Sequence, residues 1–163
     1  MEAGAGDPDE IAFVEIAADS PAAMSAMRAY VQELDERFPE RFDIGDGFDQ
    51  HELDQMGPPA GAFIVVECDG NTVGCVGLRS LGGGRGEIKR MWLDGSLRGR
   101  GVAKRLLAHV ENVATQRGHE QVVLDTNASL SEAIGLYERA GYVAIERYND
   151  NPYAHHWFAK RLT

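Results

Sequence analysis

Cysteine is scarce, basic residues are outnumbered and long apolar runs are missing. Each shortage excludes something. Only two cysteines occur in 163 residues, Cys68 and Cys75, both inside apolar strand-like runs. A disulfide scaffold is therefore excluded, and both read as reduced core residues rather than as a catalytic thiol. The apolar runs fall far short of the ~20 residues that a membrane-spanning helix needs, so no membrane role is expected. The opening MEAGAGDPDE holds no apolar stretch; residues 1–9 read as a disordered acidic tail rather than an export signal. The resulting expectation is a cytoplasmic protein. Lys and Arg number 16 against 26 Asp and Glu, a net charge of −10. Such a chain repels a phosphate backbone, which argues against nucleic acid as a partner.

The positive charge that is present is concentrated. Residues 1–60 hold 15 acidic and 3 basic side chains, whereas residues 61–163 hold 11 and 13. The acidic first half either favours a cationic substrate or only keeps the protein soluble. A localised anion site has to lie in the second half. The length fits one domain over residues 10–163, with a core that needs no staple.

Periodicity gives a mixed α/β order. Residues 11–16 read as a strand. Ser20-Pro21 supplies a cap and a first-turn proline, and apolar positions from Met24 to Phe38 recur at helical spacing. Residues 41–61 read mostly as loop, with a short helix near His51–Met56. Residues 62–68 and 72–79 flank Asp69-Gly70-Asn71, a hairpin signal. A glycine-rich turn from Leu81 to Gly86 leads to a third strand, 87–93. A helix over 99–117, a strand at 121–125, a helix over 129–140 and strands at 142–148 and 155–162 complete the order. The expected sheet is mostly antiparallel and flanked by helices.

Arg98, Gly99, Arg100, Gly101, Val102, Ala103 and Lys104 stand where strand 87–93 gives way to a helix. A helix start presents unpaired N–H groups and a positive dipole, glycines allow close approach, and arginines add charge-assisted donors. An anion site is the reading. The P-loop spacing has no match, and the dinucleotide fingerprint fails because Lys104 stands where its third glycine belongs.

The spacing that does fit is [Q/R]-x-x-G-x-[G/A], met by Arg98, Gly101 and Ala103. Farther on, Ala133, Leu136, Tyr137, Gly141 and Tyr142 fit A-x-x-L-Y-x-x-x-G-[FY]. In this order the two motifs resemble those of the GNAT superfamily of acetyl-CoA-dependent N-acetyltransferases. The resemblance covers residues 62–162 well and the opening only in its strand-helix order. It implies a GNAT-like sheet whose strands splay at the cofactor site. It places the pyrophosphate of acetyl-CoA on residues 98–104 and the pantetheine arm along Met91, Trp92 and Leu93. An amide there, that of Leu93, would stabilise the oxyanion of a tetrahedral intermediate. Asn127 is either a cofactor contact or a turn residue.

Acetyl transfer to an amine needs a base, a polarised carbonyl and an acid for the departing thiolate. By the motif, Tyr137 is the acid and a cofactor contact; by spacing alone it is a packed aromatic. Glu87 is the candidate base, acting directly or through water, or else a strand-end carboxylate paired with Lys89 or Arg90. Strand alternation sets Glu87, Lys89, Met91 and Leu93 on one face. Tyr30, Glu33 and Arg37 on the first helix, and Tyr148, Asn149, Asn151 and Tyr153 in the last turn, are either a polar pocket for the acceptor or ordinary surface. Tyr30, Glu33, Arg37 and Tyr153 are taken as its binding residues. His155 and His156 point to opposite faces of a strand and His51 stands alone, so no metal is expected. The reading is an N-acetyltransferase acting on a small-molecule primary amine, with a homodimer left open. A protein N-terminal or lysine acetyltransferase is the alternative enzyme. The non-enzyme alternative is an acyl-CoA-binding sensor.

Overall fold

The Ser20 hydroxyl accepts the Ala23 N–H at 3.4 Å, Pro21 follows at the first helical position, and helix α1 runs Pro21–Arg37 before stopping at Phe38. Both ends are where the sequence signals put them. The computed structural model describes residues 10–38, 49–97 and 99–162. The expected acidic tail and the reading of Arg98 lie outside the described residues.

Strand β1 (Ile11–Ile16) precedes α1, and the short helix α2 (Gln50–Gln55) follows it, capped by Asp49. Then come β2 (Ala62–Cys68), β3 (Asn71–Gly82) and β4 (Arg85–Leu93). Asp69 and Gly70 both take positive φ, 53° and 78°, the geometry that a two-residue hairpin turn needs. Helix α3 (Val102–Gln116), β5 (Gln121–Thr126), α4 (Ser131–Arg139), β6 (Val143–Ala144) and β7 (His156–Arg161) complete the chain. The seven strands lie in the order β1-β2-β3-β4-β5-β7-β6, and only the β4–β5 pair is parallel among the described residues.

Side-chain alternation along β2 divides two cores. Ala62, Ile64 and Val66 pack with α3 residues such as Leu106 and Val110, and with Tyr137 and Tyr142. Phe63 and Val65 pack with Met27 of α1 and Leu53 of α2. Fully burying each such side chain contributes roughly 1.5–3 kcal/mol. Both cysteines are buried and unbridged.

Several boundaries differ from expectation. Helix α3 begins at Val102 rather than at residue 99, because Gly99 and Gly101 have φ of 79° and 74°, outside the helical region. A single turn of 3₁₀ helix, Gly95–Leu97, precedes them. The strand expected over 142–148 pairs as β6 only at Val143–Ala144. Past Ile145 the chain leaves the ladder, since Tyr148 and Asn149 are drawn onto β4 and β5 by their side chains.

Candidate active site

Strands β4 and β5 pair only where Arg85–Glu87 meets Gln121–Val123. Beyond Glu87 they part, and the β4 edge that faces β5 has no strand partner among the described residues. On its other edge β4 is bulged: Gly77 opposes Lys89 and Cys75 opposes Trp92, so Arg90 and Met91 together face Val76. Arg90 takes φ of 55° to make the bulge, and its carbonyl accepts from Cys75 Sγ at 3.2 Å. The extra residue reverses the alternation. Glu87 and Lys89 face the α1–α2 side, whereas Met91 and Leu93 pack with the α3 core. The expectation that all four share a face is therefore corrected.

A cavity of about 470 Å³ occupies the gap between the strands. Helix α1 contributes Tyr30 to its wall, β4 contributes Glu87 to Met91, β5 contributes Asp125, and α4 contributes Tyr137. Asn127, Asn151 and Tyr153 close it. Its polar side is one hydrogen-bonded array. Glu87, only 1% exposed, accepts from Arg79 Nε at 2.6 Å and from the Tyr148 hydroxyl at 2.7 Å. Asn149 Nδ2 donates to Asp125 at 2.6 Å and reaches Glu87 at 3.5 Å. Trp157 Nε1, which can only donate, bonds Asn149 Oδ1 at 3.0 Å and so fixes which end of that amide meets the carboxylates. Asn151 Nδ2 donates to the other Asp125 oxygen at 3.0 Å.

Tyr137 is buried among Tyr142 and Phe158, with its hydroxyl 4.0 Å from Met91 Sδ. Burial, then the neighbouring Tyr30 and Asp125, raise its pKa, which keeps the phenol protonated at neutral pH. Burial likewise pushes Tyr30 up to about 12, with Arg90 pulling the other way. Glu52 of α2 titrates low: burial works against the charge, but Arg90, Lys89 and Arg79 outweigh it.

The glycine loop sits beside this cleft in sequence and opens to solvent. A Cβ at Gly99 or Gly101 would meet nothing within 4 Å. Positive φ, not crowding, is what demands glycine there, and the space above is clear. No side chain among the described residues caps α3, so its first-turn amides, among them Val102, Ala103 and Lys104, have no intrahelical acceptor. Arg100 and Lys104 are exposed.

Several residues singled out in the sequence stand elsewhere. Tyr30 and Tyr153 line the cavity; Glu33 and Arg37 do not. Arg37 is held by Glu132 of α4 at 2.9 Å and by the Ser129 carbonyl at 3.3 Å, with Glu33 at 3.7 Å, and ties α1 to α4. The Asn127 side chain donates to the Tyr153 carbonyl at 2.6 Å and accepts the Ser129 N–H at 2.8 Å, so both its ends hold the turn. Asp125 was not singled out, although a carboxylate ending an apolar strand was a readable signal. Among the described residues there is no cluster of three metal-ligating side chains and no helix long and apolar enough to cross a membrane.

The model of the acetyltransferase (GNAT) family matches residues 27–142, which run from within α1 through the splayed strands and the glycine loop to just past α4. The chain belongs to the GNAT family. An IAA acetyltransferase of Azospirillum brasilense is 31% identical over 132 residues, 79% of this chain and 84% of that protein. An uncharacterized N-acetyltransferase of Escherichia coli K12 is 36% identical over 91 residues. That match spans 54% of each chain, about half the length of the relative. A GNAT-family acetyltransferase from Staphylococcus aureus Mu50 superposes with a TM-score of 0.80 at 19% identity, covering 94% of this chain and 99% of the other. The GNAT fold thus accounts for the mixed seven-stranded sheet with its parallel β4–β5 pair.

Proposed function

We propose that this GNAT protein transfers an acetyl group from acetyl-CoA to the primary amine of a small molecule. The observation that carries the reading is the parting of β4 from β5, with a cavity between them that is polar on one side, followed in sequence by a glycine-opened helix start that no described side chain caps. The residues present suit the donor. The first-turn amides of α3 and the side chains of Arg98, Arg100 and Lys104 suit a pyrophosphate. The open β4 edge at Met91, Trp92 and Leu93 suits an amide-bearing arm. Bound acetyl-CoA supplies a thioester carbonyl as the acyl source.

The chain's own groups then have defined tasks. An ammonium first releases one proton to solvent; the neutral amine nitrogen then bonds to the acetyl carbon and loses a second proton, the carbon–sulfur bond breaks, and the sulfur takes up one proton. Tyr137, kept protonated by burial, donates toward the sulfur. Glu87, in the cavity wall, receives the amine's proton directly or through water. The Leu93 amide is the donor to the carbonyl oxygen. Asn127 shapes the turn beside the donor, and Tyr30 and Tyr153 border the acceptor. A panel of amines scored for free-thiol release, with product mass as confirmation, tests the reading. An increase of about 42 Da in one amine, matched by equimolar thiol, is expected for an added acetyl group (about 43 Da) replacing hydrogen (about 1 Da). Donor binding without thiol release on any amine would leave a sensor.

A further inference from the structure

We infer that the acceptor is an amine bearing its own carboxylate, an amino acid or close analogue, with Asp125 receiving its ammonium and Lys89 its carboxylate. The inference rests on the acetyl-transfer reading for its place in the reaction, but its charge argument is separate. Three basic side chains, Arg79, Lys89 and Arg90, gather round two carboxylates, Glu52 and Glu87. Arg79 Nε holds Glu87 at 2.6 Å, and Arg90 holds Glu52. Lys89 Nζ stands 3.6 Å from Glu52 and 3.9 Å from Glu87, within ion-pair range but beyond a hydrogen bond. Among these five side chains positive charge exceeds negative by one, and the lysine, beyond hydrogen-bond distance of both carboxylates, keeps donors for a further anion.

Asp125 is the opposite case. Its oxygens accept from Asn149 and Asn151, which are neutral amides. Among the described residues no cationic side chain pairs with it. Neutral donors lower the cost of keeping a carboxylate in a cavity wall without cancelling its charge, and each oxygen retains a lone pair. Lys89 and Asp125 line the same cavity. Glu87 and the Asn149 amide lie between them, with Asn149 Nδ2 at 2.6 Å from Asp125 and 3.5 Å from Glu87. One wall therefore presents a positive and a negative pole. A polyamine would be repelled at Lys89 and a simple carboxylate at Asp125; a zwitterion is attracted at both. Asp125, Tyr30 and Tyr137 line the same cavity, so an ammonium held at Asp125 shares it with the proposed acid. The cavity, about 470 Å³, is at the small end of ligand sites.

The test uses the twenty common amino acids, their amides, and putrescine and spermidine. Each is scored for thiol release with acetyl-CoA and for binding by calorimetry with coenzyme A present. A preferred amino acid should exceed its own amide by at least ~10-fold in kcat/KM, the scale of one lost ionic contact. Lys89→Met should collapse that ratio, chiefly through KM. Asp125→Asn should weaken acid and amide alike, with the melting temperature measured beside each variant to confirm folding. Polyamines or amides outperforming every amino acid would overturn the inference while leaving acetyl transfer intact. An equal loss of acid and amide turnover in Lys89→Met would overturn it in the same way. Amino acids that bind in a Lys89- and Asp125-dependent way without thiol release would keep the acceptor site and sink acetyl transfer. No amino acid detected in either assay sinks the inference.

Discussion

Glu87 shows how one side chain can hold a fold and still be available for chemistry. Its carboxylate is among the most buried polar groups of the protein, held by Arg79, Tyr148 and Asn149. Its sequence position, opening a strand just before the glycine loop, raised it as a base or as a surface ion pair. The structure removes the surface alternative. It also shows partners no spacing rule could supply, because Arg79 arrives from β3 and Tyr148 from a loop 61 residues away. Glu87→Gln separates the two tasks that remain. Loss of the anion leaves Arg79 without its nearest counter-charge, so the melting temperature should fall whatever the catalytic role. If Glu87 is also the base, turnover per folded molecule should drop by ~10²-fold near neutral pH. That deficit should shrink as pH rises, because more amine is then already neutral. A lower melting temperature with unchanged turnover would confine Glu87 to shaping the wall.

Elements were legible in proportion to how local their causes are. Ser20-Pro21 starts α1 and Asp69-Gly70 turns the β2–β3 hairpin, as the residues dictate. The β4 bulge was not legible: Arg90, a non-glycine residue at φ of 55°, carries no local signal, and the two-for-one pairing against Val76 exists only in the assembled sheet. The same holds for β6, whose shortness follows from side chains captured across the sheet. The glycine loop stands between these cases. Its composition announced an anion site, and the structure adds a second reason for glycine at residue 101. At φ of 74° with open space above, a side chain is strained before it clashes with anything in the protein. Gly101→Val should therefore cost ~1–2 kcal/mol in stability, the scale of a left-handed residue. For a domain of this size each lost kcal/mol lowers the melting temperature by ~2–4 °C. The new side chain would also stand in the clear space at the helix start. Acetyl-CoA should raise the melting temperature of the parent protein, as any ligand of the native state does, and leave that of the variant unmoved. A folded variant with the full rise would place the phosphate site elsewhere.

Across the whole molecule, the interior holds several weak acids in neutral form. Tyr30, Tyr137, Tyr142, Tyr148 and Cys75 all titrate higher in the fold than in an open chain, with burial the first cause at each. Nearby carboxylates add to it, Glu111 at Tyr142 and Glu87 at Tyr148, while Arg90 opposes it at Cys75. Tyr30 rises from 10.0 to about 12 and Cys75 from 9.0 to about 12. A group whose pKa is raised by folding loses its proton first in the unfolded chain. Its contribution to stability is complete below the unfolded value and is lost as pH climbs toward the folded one. The window opens near pH 9 for Cys75 and near pH 10 for the tyrosines. Within its window each group costs ~1.4 kcal/mol per pH unit, against a total stability of roughly 5–15 kcal/mol. Below pH 9 these groups are silent. Between pH 9 and 10 only the thiol acts, and above pH 10 the tyrosines act with it, so the decline should steepen there. Urea unfolding at half-unit steps from pH 8 to 11 measures the curve. Cys75→Ala offers a control, since its stability, though lower at neutral pH, should be flatter between pH 9 and 10. A protein equally stable at pH 9 and pH 11 would mean that these side chains ionise as freely inside the fold as outside it.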